Sequence, residues 1–98
     1  MRLVWTTSAK RDLAEIVSYI WFDSPDAAKR IRRRIEATAT YLTSHPWMGR
    51  QGSIADTREA IPHPSYRMVY RVTEQTIFIL RIVHTSRQWP PAADDETP

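Results

Sequence analysis

The chain contains no cysteine, which excludes disulfide bridges and thiolate metal sites. Only two glycines occur, Gly49 and Gly52, both inside the stretch HPWMGRQG (45–52). No glycine-rich phosphate loop can be built from them, and neither a GxSxG element nor a paired acidic motif is present. The histidines His45, His63 and His84 have no partner at ligand spacing, so no metal and no cofactor is expected. No apolar run approaches the length of a membrane span. The opening residues, MRLVWTTSAKRD, lack the apolar segment of a secretion signal, which predicts a cytoplasmic protein without membrane contact.

What is present is basic and aromatic. Ninety-eight residues with 42% hydrophobic content suit one domain with one core. The net charge of +3 understates the body of the chain. Residues 1–89 carry all fourteen basic residues against eight acids, a net +6, because Asp94, Asp95 and Glu96 lie in the last stretch. Such a balance favours anionic partners, either nucleic acid or an acidic protein segment. The division expected is a folded domain over 1–89 and a disordered acidic, proline-rich tail over 90–98.

Residues 2–5 (RLVW) are a short strand candidate. Thr7 or Ser8 offers an N-cap for a helix to about Phe22, with Ala9, Leu13, Ile16, Val17 and Ile20 on one stripe. Ser24-Pro25-Asp26 restarts a helix that reaches about Ser44. Its apolar stripe is Ala28, Ile31, Ile35, Ala39 and Leu42, and Lys29, Arg30, Arg32, Arg33 and Arg34 fan across the other side. That fan is either a solvated face or a docking surface for an acidic partner. The two helices form an antiparallel hairpin. HPWMGRQG breaks regular structure, and TREAI (57–61) is a strand candidate ended by Pro62.

Two long strands follow. Tyr66–Val72 alternates strictly, and Thr76–His84 is apolar on both faces apart from Arg81 and its far end. Pairing Tyr70 with Phe78, Met68 with Leu80 and Tyr66 with Ile82 keeps one face apolar. The same register sets Val69 opposite Ile79 and Arg67 opposite Arg81, a like-charge pair that suggests an anionic ligand. The fold expected is α+β, in the order β-α-α-β-β-β, with a three-stranded antiparallel meander, the first strand added to it, and both helices on one face. Its core should hold Leu13, Ile16, Ile20, Ile31, Ile35, Met68, Tyr70, Phe78, Leu80 and Ile82. The other face would be partly open and would carry Arg67, Arg71 and Arg81. Arg58, Arg67, Arg71, Arg81, His84 and Arg87 then cluster on or near three adjacent strands, and His84 is the one available general base. Trp5, Trp21, Trp47 and Trp89 read as packing residues.

Several of these segments, taken in order, resemble the RelE/ParE superfamily of toxins from type II toxin–antitoxin modules. They are WTTSAKRDLAEIVSYI, HPWMGRQG, TREAI, YRMVY and HTSRQW, and they cover residues 1–89. The resemblance implies a growth-inhibiting toxin of the kind found in plasmid stabilization systems. It would be neutralised by a cognate antitoxin, ParD-like or related, through that partner's C-terminal segment. Two targets are implied. RelE-like members cleave mRNA on the ribosome, and Arg58, Arg67 and Arg87 match basic positions of that site. ParE-like members are described as inhibitors of DNA gyrase. The C-terminal tyrosine of the nuclease branch has no counterpart here, since the last motif ends in Trp89 and no tyrosine follows Tyr70. An indole cannot exchange a proton as a phenol does. The ParE-like branch therefore fits better, with Arg58, Arg67, Arg71, Arg81, Arg87 and Trp89 expected to bind target or antitoxin. A non-toxic, basic nucleic-acid-binding accessory domain is the reading outside the superfamily.

Overall fold

The computed structural model describes residues 1–91. From residue 92 onward the expected tail lies outside the described residues. Chain order is β1 (Arg2–Trp5), α1 (Thr7–Asp23), α2 (Pro25–Leu42), β2 (Arg50–Gln51), β3 (Arg58–His63), β4 (Tyr66–Val72) and β5 (Thr76–His84). The sheet has five strands in the order β1-β5-β4-β3-β2, with β1 parallel to β5 and the other pairs antiparallel. The fold is α+β, as expected, but the sheet is mixed and has one strand more than the sequence suggested. The extra strand is β2, two residues inside HPWMGRQG, held by Arg50 opposite Glu59 and Gln51 opposite Arg58. A two-residue strand has no periodicity to read.

β5 is central, between β1 and β4, which is why its sequence is apolar on both faces. β3 runs through Pro62 rather than stopping before it. It can do so because β2 covers only Arg58 and Glu59, so Pro62 sits on an uncovered edge where no ladder N–H is needed.

The register of the central pair differs from the expected one. Tyr66 faces His84, Arg67 faces Val83, Met68 faces Ile82 and Val69 faces Arg81; after a bulge, Tyr70 faces Ile79. Leu80 is the residue left over, and it lets β5 alternate out of step on its two halves. Ile77, Ile79 and Ile82 therefore enter the helix-covered core, while Phe78 and Leu80 stay outside it and only half-buried. Of the expected core, Leu13, Ile35, Met68, Tyr70 and Ile82 belong to the buried cluster, and Ile16 and Ile31 pack against it. Arg67 and Arg81 are not directly opposed; they are diagonal neighbours on one face.

The bulge is fixed from the side where β1 ends. Thr6 accepts from Ala9 N–H at 3.2 Å, so Thr6 rather than Thr7 or Ser8 caps α1. Its hydroxyl proton is shared between the Ile79 and Leu80 carbonyls at 2.9 and 3.1 Å. Nearly two turns further on, Asp12 accepts from the Ile82 amide at 2.9 Å and from Arg81 Nε at 2.7 Å. Beyond Trp5 that edge of β5 has no neighbouring strand, and α1 supplies its hydrogen bonds instead.

A single residue, Ser24, links the two helices. Its N–H donates to Ile20 and closes α1, while its hydroxyl accepts from Ala27 N–H at 3.1 Å and opens α2, with Pro25 in the first turn. Ser24→Ala should leave an orphan N–H at the tip of the hairpin. Unfolding by urea should show a loss of about 1 kcal/mol, with the slope unchanged.

Candidate functional site

The basic residues divide between the two faces of the sheet: Arg67, Arg71 and Arg81 share one, and Arg58 lies on the other. Cross-strand partners share a face, so Arg58, opposite Tyr70, lies on the helix-covered side. Arg67, opposite Val83, and Arg81, opposite Val69, lie on the other side. Arg58 donates to the carbonyls of Gly49 (2.6 Å) and Trp47 (3.3 Å), and its guanidinium stands 4.8 Å from the Trp47 ring centroid. It clamps the loop between α2 and β2.

Arg67 is largely buried, with Nη1 at 3.4 Å from Glu59 Oε1. The Glu59 carboxylate is almost wholly buried and also takes Arg50 Nη2 at 3.2 Å and the Ser53 amide at 3.3 Å. One carboxylate thus serves two arginines and a backbone N–H. The Arg67 Nε is buried and, among the described residues, has no hydrogen-bond partner. Arg81 forms a two-pronged pair with Asp12, at 2.7 and 3.2 Å, and its guanidinium lies 5.4 Å from the Trp89 ring centroid. Arg71 and Arg87 are exposed, and neither forms an ion pair among the described residues.

His84 is exposed and pairs with Tyr66 across the sheet, ring edge to ring face. Its Nδ1 accepts the Ser86 amide at 3.1 Å. An amide N–H can only donate, so the neutral imidazole carries its proton at Nε2 and presents a donor outward. The lone pair a general base would use is already bonded. His63 repeats the arrangement, with Nδ1 accepting the Ser65 amide at 3.0 Å. Among the described residues no group of three His, Asp or Glu side chains could hold a metal.

Tyr70 is fully buried and ties the loop to the core. Its phenol donates to the Pro46 carbonyl and accepts from the Gly49 amide, both at 2.9 Å. Burial raises its pKa; the Gly49 bond and the Arg58 charge lower it by less. A phenol so enclosed cannot reach a substrate.

Two grooves among the described residues border the helical hairpin. The larger, about 630 Å³, has walls of Trp5, Leu13, Val17, Trp21 and Phe22, with Lys10, Arg32 and Glu36 on its rim. Phe22 is 87% exposed and Trp21 47%. Monomeric domains seldom leave large aromatic side chains uncovered side by side, and such patches mark interaction sites. The smaller groove, about 470 Å³, is bordered by Ile20, Ala27, Arg30, Ile31, Arg34 and His63. Reading the sequence for a toxin site singled out the sheet arginines and missed both grooves. It also missed Glu59 and Asp12, the acids that hold those arginines.

Over residues 3–89 the chain matches the family described as the ParE toxin of the type II toxin–antitoxin system parDE. It belongs to the ParE toxin family. The relatives agree on the superfamily and spread over both of its branches. The protein Y4kP of Sinorhizobium fredii is 40% identical over 91% of this chain and 93% of its own. The toxin RelE2 of Caulobacter vibrioides is 37% identical over 88% of this chain and 97% of its own. Among solved structures, a chromosomal ParDE system from P. aeruginosa superposes with a TM-score of 0.75 at 26% identity, covering 86% of this chain and 95% of that one. The RelBE2 toxin–antitoxin complex of Mycobacterium tuberculosis gives 0.64 at 28% identity, with 85% and 95% covered. No helix of this ParE-family chain, among the described residues, is long and apolar enough to cross a membrane.

Proposed function

We propose that this ParE-family chain is the toxin of a type II module, that it acts in the cytoplasm by inhibiting DNA gyrase, and that a cognate antitoxin holds it inactive. One observation carries the choice of gyrase over mRNA cleavage: the sheet offers no converging set of a cation, a base and an acid. Arg67 and Arg81 are bound to Glu59 and Asp12, Arg58 lies on the opposite face under Trp47, and His84 points a donor outward. Phosphodiester cleavage needs positioned proton transfer and cations aimed at the growing charge. Binding and trapping a protein target needs neither. The names of two relatives, RelE2 and RelBE2, keep the nuclease reading as the alternative.

Expression without the antitoxin should arrest growth and relax a resident plasmid, while total mRNA stays uncut. Codon-internal cuts in mRNA with plasmid topology unchanged would point to the ribosome instead.

The ParDE and RelBE2 neighbours are toxin–antitoxin systems, and the larger groove suits such a partner here. Its aromatic walls and mixed-charge rim suit the apolar stripe of an antitoxin's C-terminal segment. Trp21 and Phe22 project enough to act as anchors. Replacing both by alanine should weaken antitoxin binding by about 2 kcal/mol or more, roughly thirtyfold, without lowering the melting temperature appreciably. A complex with unchanged affinity would place the antitoxin elsewhere.

A further inference from the structure

The second groove differs in chemistry from the first. Its floor is apolar, made of Ile20, Ala27 and Ile31, and its border carries Arg30 and Arg34 from α2 and His63 from the end of β3. Arg30 and Arg34 stand one turn apart on one face, about 6 Å along the axis. Like charges at that spacing oppose the helix they sit on. Elsewhere on α2 the chain relieves this cost, since Arg32 pairs with Glu36 at 3.7 Å. Neither Arg30 nor Arg34 forms an ion pair among the described residues. His63 adds a third donor: the Ser65 amide occupies its Nδ1, so Nε2 carries a proton in either charge state. Three donors thus ring an apolar floor, with no acid among the lining residues.

We infer that this groove is a second docking site, which takes an acidic segment of a protein partner and is separate from the aromatic groove. The segment carries two carboxylates about one helical turn apart beside apolar side chains. The arginines take the carboxylates, and Ile20 and Ile31 take the apolar groups. A nucleic-acid backbone would satisfy the arginines but would cover the isoleucine floor with nothing apolar. Because the two grooves share no lining residue, a segment here can bind while the aromatic groove is filled. The inference does not depend on the identity of the toxin's target.

The full chain should be titrated with an alanine-based helical peptide bearing two glutamates one turn apart beside two leucines. Its glutamine counterpart and a short oligothymidylate serve as comparisons. Amide resonances of Ala27, Ile31, Arg34 and His63 should move with the glutamate peptide, and binding should weaken as salt rises. The glutamine peptide and the oligonucleotide should leave those resonances in place. Arg30→Ala with Arg34→Ala should raise the peptide's Kd roughly tenfold or more, the loss expected for two charge-assisted contacts. Both side chains are exposed, so the double variant keeps its melting temperature. Absence of shifts at these positions, shifts confined to Val17 and Trp21, equal affinity in the double variant, or preferential binding of the oligonucleotide would each overturn the assignment.

Discussion

Glu59→Ala should be the most damaging single substitution outside the apolar core. The carboxylate is almost wholly buried and is the one acid that Arg67 meets within ion-pair distance among the described residues. Arg50 is mostly exposed and can turn to water, but Arg67 is largely buried and cannot. Removing the carboxylate leaves a desolvated guanidinium without a counter-charge and the Ser53 amide without an acceptor. Breaking a buried pair in this way costs about 3–5 kcal/mol. In a domain of this size that lowers the melting temperature by more than roughly 10 °C. The same physics predicts an asymmetry. Glu59→Leu combined with Arg67→Met removes both charges and fills the space, so the double variant should be more stable than Glu59→Ala. Urea unfolding of the set measures this, and a double variant no better than the single one would show that the charges are not coupled.

Gly49→Ala should be nearly as harmful, for a steric reason. A methyl group there would stand 2.6 Å from the Tyr70 hydroxyl and 2.7 Å from the Glu59 carbonyl oxygen. The carbonyl belongs to β3 and cannot retreat. The phenol is locked by Pro46 and by the Gly49 amide itself. Overpacking and the lost hydrogen bonds together should cost about 3 kcal/mol. Tyr70→Phe removes the hydroxyl and its clash, while the ring carbon at 2.8 Å and the Glu59 carbonyl remain. In the Gly49→Ala background it should therefore cost less than it does alone, which a double-mutant cycle by thermal unfolding would detect. Strict additivity would mean that the loop moves away as a unit.

Both positions illustrate what a sequence carries and what it hides. The helices and the long strands were legible because their side-chain periods persist over two turns or more, and Ser24-Pro25 marks its boundary unambiguously. The register of β4 and β5 was not legible. A single extra residue, Leu80, reverses which isoleucines face the helices, and its cause lies seventy positions away in Thr6 and Asp12. Asp12 did leave a trace: it flanks the apolar stripe of α1, next to Leu13, where a solvated acid would be out of place. Glu59 left less, because one acid among the arginines of a strand reads as surface charge until the neighbouring strands are known. The arginines themselves were found from sequence, but whether each was available to a ligand depended on those two hidden partners. The grooves were hidden for a related reason, since each is formed by segments far apart in the chain.

On the reading proposed here, this ParE-family toxin traps a protein target and does not cut RNA. The most direct test sets purified toxin against DNA gyrase and against translating ribosomes in parallel reactions. Loss of supercoiling or accumulation of cleaved DNA is expected with gyrase, and intact mRNA on the ribosomes. Codon-specific mRNA cleavage with gyrase unaffected would contradict that reading.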